Sequence, residues 1–253
     1  MIPIKSPSEL DKMRAAGRVV GLLLKELEKR VKPGVSTGEL DAFARSFIEG
    51  HHAVPTFLGY PGRASKYPAS ICASVNEQVV HGIPGDRRLI EGDIIGIDVG
   101  ATLNGYVGDA ARTFAVGKIS DEAARLLKAT QEALDKGLSA ARHNGFVGDI
   151  GAAVEAHAKS YGLGIVRDYT GHGVGKRLHE PPQIPNYGQR GLGPKLKAGM
   201  TLAIEPMLNL GGDKTRELSD GWTVVTADGK LAAHFEDTII VTDGEPEILT
   251  RVA

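Results

Sequence analysis

The sequence predicts an α/β (α+β) protein built from two similar halves of helices and strands. Three observations carry this expectation: the order helix, helix, strands occurs twice, a ten-residue pattern recurs once in each half, and apolar strand-like runs are interrupted by carboxylates. The first half opens at Ser6-Pro7-Ser8-Glu9, a capping box with proline at the first helical position. Leu10, Met13, Val20, Leu23, Leu24, Leu27 and Val31 follow as one amphipathic stripe. Lys32-Pro33-Gly34 stops that helix, and Ser36 with Glu39 caps a second one bearing Leu40, Phe43, Phe47 and Ile48. Residues 70–81 and 93–114 read as strands, punctuated by Gly82-Ile83-Pro84-Gly85 and Asn104-Gly105. The second half restarts at Ser120-Asp121-Glu122 with a helix carrying Leu126, Leu127, Leu134 and Leu138 that ends near Asn144-Gly145. Residues 149–161 form another, and strands follow. Leu89 to Asp98 and Leu196 to Glu205 share a leucine, a glycine three residues on and a carboxylate six further on, which points to duplication. The expected organisation is one unit over residues 1–253, with halves of about 1–117 and 118–253.

Composition narrows the function. The 253 residues carry 30 Lys+Arg against 31 Asp+Glu and are 42% hydrophobic, an ordinary globular balance without a basic run. Nucleic acid and anionic membranes are therefore not expected as main partners. Val19 to Leu24 is far short of the ~20 apolar residues of a membrane-spanning helix. The N-terminal residues 1–7 lack a signal-peptide pattern and Cys72 is the single cysteine, so the cytoplasm is the expected compartment.

Chemistry concentrates in four acids and three histidines. Asp98 interrupts the apolar run Ile94-Ile95-Gly96-Ile97, and Asp109 follows beyond the Asn104-Gly105 turn. If that dipeptide is a two-residue hairpin loop, Leu103 opposes Tyr106 and Gly100 opposes Asp109. Asp98 is then a diagonal neighbour of Asp109, at the ~7–8 Å that suits convergence on cations. The competing arrangement is an edge hairpin with both acids in solvent. Glu205 and Glu236 also lie in apolar strand-like surroundings, and four buried carboxylates need comparable positive charge. His172 sits among glycines in Thr170-Gly171-His172-Gly173-Val174-Gly175, His81 ends a strand, and His179 lies in Leu178-His179-Glu180-Pro181-Pro182. His51, His52, His143, His157 and His234 have no motif support and are expected on the surface or in packing. The glycines around His172 lack both phosphate-loop spacings, and H-E-x-x-H, C-x-x-C and G-x-S-x-G are absent. Cys72 among small residues reads as a packed hydrophobe, with a nucleophile as the alternative.

These residues resemble the bacterial type I methionine aminopeptidases of the pita-bread metallopeptidase family, over about residues 8–250. The matching segments are Val75-Asn76-Glu77 with His81-Gly82-Ile83-Pro84, Asp98-Val99-Gly100 with Gly108-Asp109, Thr170 to Gly175, Ala203-Ile204-Glu205-Pro206, Gly221-Trp222 and His234 to Thr238. The resemblance implies two pseudo-symmetric α/β halves around a curved antiparallel sheet. It also implies two divalent ions held by Asp98, Asp109, His172, Glu205 and Glu236, with Asp109 and Glu236 touching both. Mn(II), Fe(II), Co(II) and Zn(II) all suit such oxygen-rich ligation with one imidazole. The implied activity is removal of the initiator methionine from nascent proteins whose second residue is small, by a metal-bridged hydroxide attacking the peptide carbonyl. Glu205 would accept a proton, His179 would stabilise the oxyanion or leaving nitrogen, and His81 would assist proton transfer. Phe57, Tyr60, Tyr67, Cys72 and Trp222 match the family's methionine pocket, where sulfur–aromatic contacts suit a thioether. If Asp228-Gly229 turns a hairpin, Glu236 falls opposite Gly221 and Trp222 lies beside the metals.

Two departures stand out. Where the family commonly has six residues, G-Y-H-G-Y-P, this chain has the ten of Gly59-Tyr60-Pro61-Gly62-Arg63-Ala64-Ser65-Lys66-Tyr67-Pro68, without the histidine, and Leu178 stands where an aromatic is frequent. A monomer is the family expectation, the nascent-chain substrate alone suggests action near the ribosome exit, and the sequence shows neither the N-terminal zinc-binding extension nor the long second-half insertion of the eukaryotic and type II forms. The alternatives are a proline-directed relative of the prolidase or aminopeptidase P kind, and a non-enzymatic pita-bread binding protein.

Overall fold

A computed structural model describes residues 2–63 and 65–252, so Met1, Ala253 and, in the loop 59–68, Ala64 lie outside the described residues. The chain runs α1 (Pro7–Glu28), α2 (Thr37–Gly50), β1 (Val54–Pro55), β2 (Ile71–Val75), β3 (Gln78–Val80), β4 (Ile94–Leu103) and β5 (Tyr106–Ala115). It then restarts with α3 (Asp121–Ala140), α4 (Val147–Ser160), β6 (Gly164–Ile165), β7 (Gly171–Gly173), β8 (Glu180–Ile184), β9 (Thr201–Ile204) and β10 (Met207–Asn209). The last strands are β11 (Thr215–Glu217), β12 (Val224–Thr226), β13 (Ala232–His234), β14 (Asp237–Ile240) and β15 (Glu247–Ile248).

The helix starts follow from their caps. Ser6 N donates to Glu9 Oε2 at 2.9 Å before α1. Before α2, Ser36 Oγ accepts from Glu39 N at 3.1 Å while Ser36 N donates to Glu39 Oε2 at 2.7 Å. α4 begins two residues ahead of the expected start because Asp149 is its third residue, accepting from Phe146 N at 2.7 Å. α1 and α2 bury Val20, Leu23, Leu27, Leu40 and Ile48 against Ile95, Ile97 and Val99 of β4. α3 and α4 bury Leu126, Leu134, Ile150 and Val154 with Leu202, Ile204 and Ile239. Each such side chain contributes about 1.5–3 kcal/mol. Strand alternation sends Ile95, Ile97 and Val99 to the helices and therefore turns Asp98 to the opposite face.

The β4–β5 ladder runs from Ile94 opposite Ala115 to Leu103 opposite Tyr106, and it places Gly100 opposite Asp109 as the spacing predicts. Asn104 (φ 52°) and Gly105 (φ 77°) supply the two positive φ angles of the tight turn. β14 pairs with β9, and β9 with β7. Between the sheets, Ala111 N donates to Glu236 O at 3.3 Å and Glu236 N to Ala111 O at 2.9 Å. The sequence of neighbours is therefore β4, β5, β14, β9, β7. Asp98, Asp109, Glu236, Glu205 and His172 lie on or beside these five strands in that order.

The ten-residue echo has a structural counterpart. Gly92 (φ 96°) and Gly199 (φ 86°) both turn in the left-handed region, and Leu89 and Leu196 are both buried. Arg88 bridges to Ser36 at the start of α2, and Lys195 bridges to Phe146 at the start of α4.

One expectation fails here. Asp228-Gly229 makes a turn, but β12 pairs with β3 and β11 while β13 pairs with β10, so Glu236 does not face Gly221 across a hairpin.

Candidate active site

A cavity of about 150 Å³ opens over the five strands, and all twelve residues singled out in the sequence line it, together with Leu178. Asp109, His172 and Glu236 offer donor atoms within 4.8 Å of one another. His172 Nε2 lies 3.5 Å from Asp109 Oδ2 and 3.4 Å from Glu205 Oε1. The other ring nitrogen, Nδ1, donates to Gly173 O at 2.9 Å, so Nε2 carries the free lone pair that faces the carboxylates. Glycine on both sides of His172 lets β7 lie between neighbours: a Cβ on Gly173 would strike Pro181 O, and one on Gly171 would come within 2.5 Å of Ala203 O. Asn186 Nδ2 donates to Glu205 O at 2.9 Å and fixes the end of β9.

Four carboxylates converge where water is nearly excluded. Burial raises Asp98 to about 7. Burial first, then the neighbouring acids, pushes Asp109, Glu205 and Glu236 well above the usual carboxylate range. Burial lowers His172 to about 4, so its lone pair is free at neutral pH. Asp98 Oδ1, Asp109 Oδ1 and Glu236 Oε1 are buried without a hydrogen-bond partner. Orphaned acceptor oxygens beside an imidazole lone pair form a donor set that fits divalent cations.

The pH dependence has a definite sign. In the metal-free protein, the raised pKa of Asp98 adds stability at low pH that is lost as pH rises through about 7, the other three acids, also raised, add stability of the same sign, and ion binding needs all four unprotonated. The gap in Tm between Mn(II)-loaded and chelator-stripped protein widens from about pH 5.5 to about pH 8. Differential scanning calorimetry across that range checks it, and a gap that narrows with rising pH contradicts it.

The walls are apolar and aromatic. Phe57 packs over Gly100, where a Cβ would come within 2.6 Å of its ring. Tyr67 meets Trp222 edge-on at 5.0 Å and shares its hydroxyl hydrogen between Ile71 O (3.1 Å) and Gly82 O (2.9 Å). Cys72 is buried in the same cluster, and burial raises its thiol, which makes it a packing group of the wall. The longer loop is a small closed excursion: Gly59 N donates to Tyr67 O and Tyr67 N to Tyr60 O, both at 2.8 Å, and Pro61 bridges to Lys66. The extra residues thus leave Tyr60 and Tyr67 side by side, and Ser65 Oγ accepts from Trp222 Nε1 at 3.2 Å.

His81 has φ 60°, an unusual conformation for a non-glycine residue. Ser74 Oγ, accepting from Gly82 N at 3.1 Å, helps hold it, and burial lowers its imidazole to about 4. His179 stands at the exposed mouth, edge-on to His172 at 4.4 Å. Its segment is anchored by the buried ion pair of Glu180 with Lys5 (2.8 Å). Tyr60 Oη lies 2.6 Å from His179 Nδ1. With that nitrogen accepting from the phenol, the hydrogen of His179 sits on Nε2, able to donate to a substrate oxygen. Tyr60→Phe keeps the ring and removes the donor, so kcat falls about tenfold with little change in KM, and the same substitution has no effect on a His179→Ala background. Equal effects on both backgrounds contradict the coupling.

The sequence reading missed His234. It is buried, with Nε2 at 3.7 Å from Glu205 Oε2 and 3.9 Å from Glu236 Oε2. Its two-residue spacing from Glu236 is the available signal in the sequence, although the structure places Glu236 between β13 and β14. A larger cavity of about 610 Å³ lies between α1 and α3. Its arginines are engaged by acids, Arg112 with Asp237 and Arg251 with Asp135 and Asp237.

A family model for metallopeptidase family M24 matches residues 11–243. The chain belongs to family M24. The M24 match runs from within α1 to beyond β14 and contains every residue of the cavity named above. Among curated relatives, methionine aminopeptidase 1 of Bacillus subtilis (strain 168) is 53% identical over 252 residues, covering 100% of both chains. The crystal structure of methionine aminopeptidase from Rickettsia prowazekii superposes with a TM-score of 0.96 at 43% identity, covering 99% of this chain and 100% of that one. The M24 fold also appears in the Xaa-Pro dipeptidase from Bacillus anthracis. That likeness, with a TM-score of 0.76 at 23% identity, covers 99% of this chain but 62% of the other and shows the fold alone.

Proposed function

We propose that this M24 protein is a metal-dependent aminopeptidase that removes the initiator methionine from nascent chains whose second residue is small. The observation that carries the reading is the floor of orphaned carboxylate oxygens and His172 beneath a small aromatic-walled cavity. Near-full-length similarity to proteins named methionine aminopeptidase supports it. Residues 1–117 and 118–253 act as pseudo-symmetric halves of one catalytic unit, a reading supported by the paired glycine turns and helix-start bridges.

Asp98, Asp109, His172, Glu205 and Glu236 would hold two divalent ions. When bound, such a pair polarises the scissile carbonyl and acidifies a water to near-neutral pKa. Glu205 takes the proton of the attacking water at its carboxylate. His179 donates from Nε2 to the oxygen that gains charge as the carbonyl becomes tetrahedral, and His81 helps carry a proton to the leaving amine. Phe57, Tyr60, Tyr67, Cys72 and Trp222 take the methionine side chain, excluding water and offering aromatic edges to its sulfur. The nascent chain extends out past His179, and the protein works as a cytoplasmic monomer near the ribosome exit. None of the described helices is long and apolar enough to cross a membrane.

The test is a substrate panel with Mn(II)-loaded protein. Release of methionine from Met-Ala-Ser but not from Met-Lys-Ser is expected. Cleavage of Ala-Pro or Ala-Pro-Ala instead would assign a proline-directed peptidase, and silence on all four would assign a binding protein.

A further inference from the structure

His234 is a buried histidine that the proposed mechanism leaves unused. It ends β13 opposite Met207 of β10, and a single hydroxyl holds its backbone. Thr113 Oγ1 donates to His234 O at 2.8 Å and accepts from His234 N at 2.9 Å. The residue is 4% exposed, yet Nε2 has no hydrogen-bond partner. An unpaired buried polar group costs about 1–3 kcal/mol, so what this nitrogen faces is informative. It faces two carboxylates just beyond hydrogen-bond length, Glu205 Oε2 at 3.7 Å and Glu236 Oε2 at 3.9 Å. Glu205 divides its oxygens: Oε1 points to His172 Nε2 at 3.4 Å, within the donor set, and Oε2 points to His234.

We propose that His234 is a positioning residue for Glu205, its Nε2–H donating to Oε2 so that Oε1 stays turned toward the ions. An ionised carboxylate only accepts, so the tautomer with hydrogen on Nε2 satisfies both partners. A small rotation of either side chain closes the gap. Thr113, bonded to both the N–H and the C=O of His234, fixes the backbone from which the ring projects. The inference rests on the metallopeptidase reading and adds to it a residue that aims one of its ligands.

The experiment titrates Mn(II) into chelator-stripped wild-type, His234→Gln and His234→Leu proteins by calorimetry, and measures Tm on the same metal-free samples. Glutamine keeps a donor at similar reach, and leucine fills similar space without one. His234→Leu is expected to bind Mn(II) about 10–100-fold more weakly, with His234→Gln within about threefold of wild type. Metal-free His234→Leu is expected to fold and to melt within a few degrees of wild type, because leucine fills the space the imidazole leaves. With Mn(II) saturating, kcat for Met-Ala-Ser falls in His234→Leu while KM is little changed. Wild-type affinity in His234→Leu, or equal weakness in both variants, would overturn the proposal. Failure of both His234→Leu and His234→Gln to fold would also overturn it, by making the role structural. Absence of Mn(II) binding or of methionine release in the wild type would instead sink the metallopeptidase reading.

Discussion

His172→Ala lowers kcat/KM for methionine release from Met-Ala-Ser by at least about 10³-fold, about 4 kcal/mol of transition-state stabilisation. His172 is the imidazole at the centre of the donor set, with Nε2 within 3.5 Å of both Asp109 and Glu205 and Nδ1 tied to Gly173 O. Alanine leaves four converging carboxylates, all raised by burial and three of them also by neighbouring acids, with one neutral donor fewer to share an ion. His51→Ala is the control. That ring is exposed and stacks on Phe47 at 4.2 Å, remote from the cavity lining, and its removal leaves kcat/KM unchanged. Steady-state kinetics at saturating Mn(II), with circular dichroism to confirm folding, decide the matter. A loss under about tenfold in His172→Ala is incompatible with a ligand role.

Asp237→Ala has the largest effect on stability. Asp237 is 0% exposed and accepts from Arg112 Nη2 at 2.6 Å, Thr250 Oγ1 at 2.7 Å and Arg251 Nε at 2.8 Å. Arg112 also donates to Glu236 O, so the same cluster ties β5 to the start of β14 and holds two metal-site strands together. Removing the acid strands the mostly buried Arg112 and costs about 3–5 kcal/mol. At about 2–4 °C per kcal/mol for a chain of this size, Tm falls by about 6–20 °C. Asp237→Asn keeps one acceptor and its hydrogen-bond geometry, and loses less. A fall under about 2 °C in Asp237→Ala would show that the cluster contributes little to the fold.

How far the sequence could be read depended on whether local rules set the geometry. Asn104-Gly105 has a strong intrinsic turn preference, so the register that sets Gly100 opposite Asp109 followed from counting residues away from it. The capping boxes at Ser6 and Ser36 placed α1 and α2 for the same reason. Asp228-Gly229 is an equally good turn, yet its flanking strands join different sheets, because partner choice there is made by long-range burial. Trp222 still reaches the cavity, by way of its contacts with Tyr67 and His81. α4 began early because Phe146, which precedes it, is no side-chain capper and left Asp149 as the visible signal. His234 has no motif support in the sequence, which leaves it among the surface or packing histidines. Its chemistry depends on Glu205, which is remote in sequence and adjacent in space.

The most direct measurement follows bound metal and methionine release together in one titration. Chelator-stripped protein is titrated with Mn(II), ions per chain are counted by mass spectrometry, and release from Met-Ala-Ser is assayed on the same samples. Release is expected to be absent without metal, to rise with occupancy, to level off by two ions per chain, and to be lost in His172→Ala. Methionine release that persists in the stripped protein, or that His172→Ala retains in full, would contradict the assignment of these five residues as the metal centre.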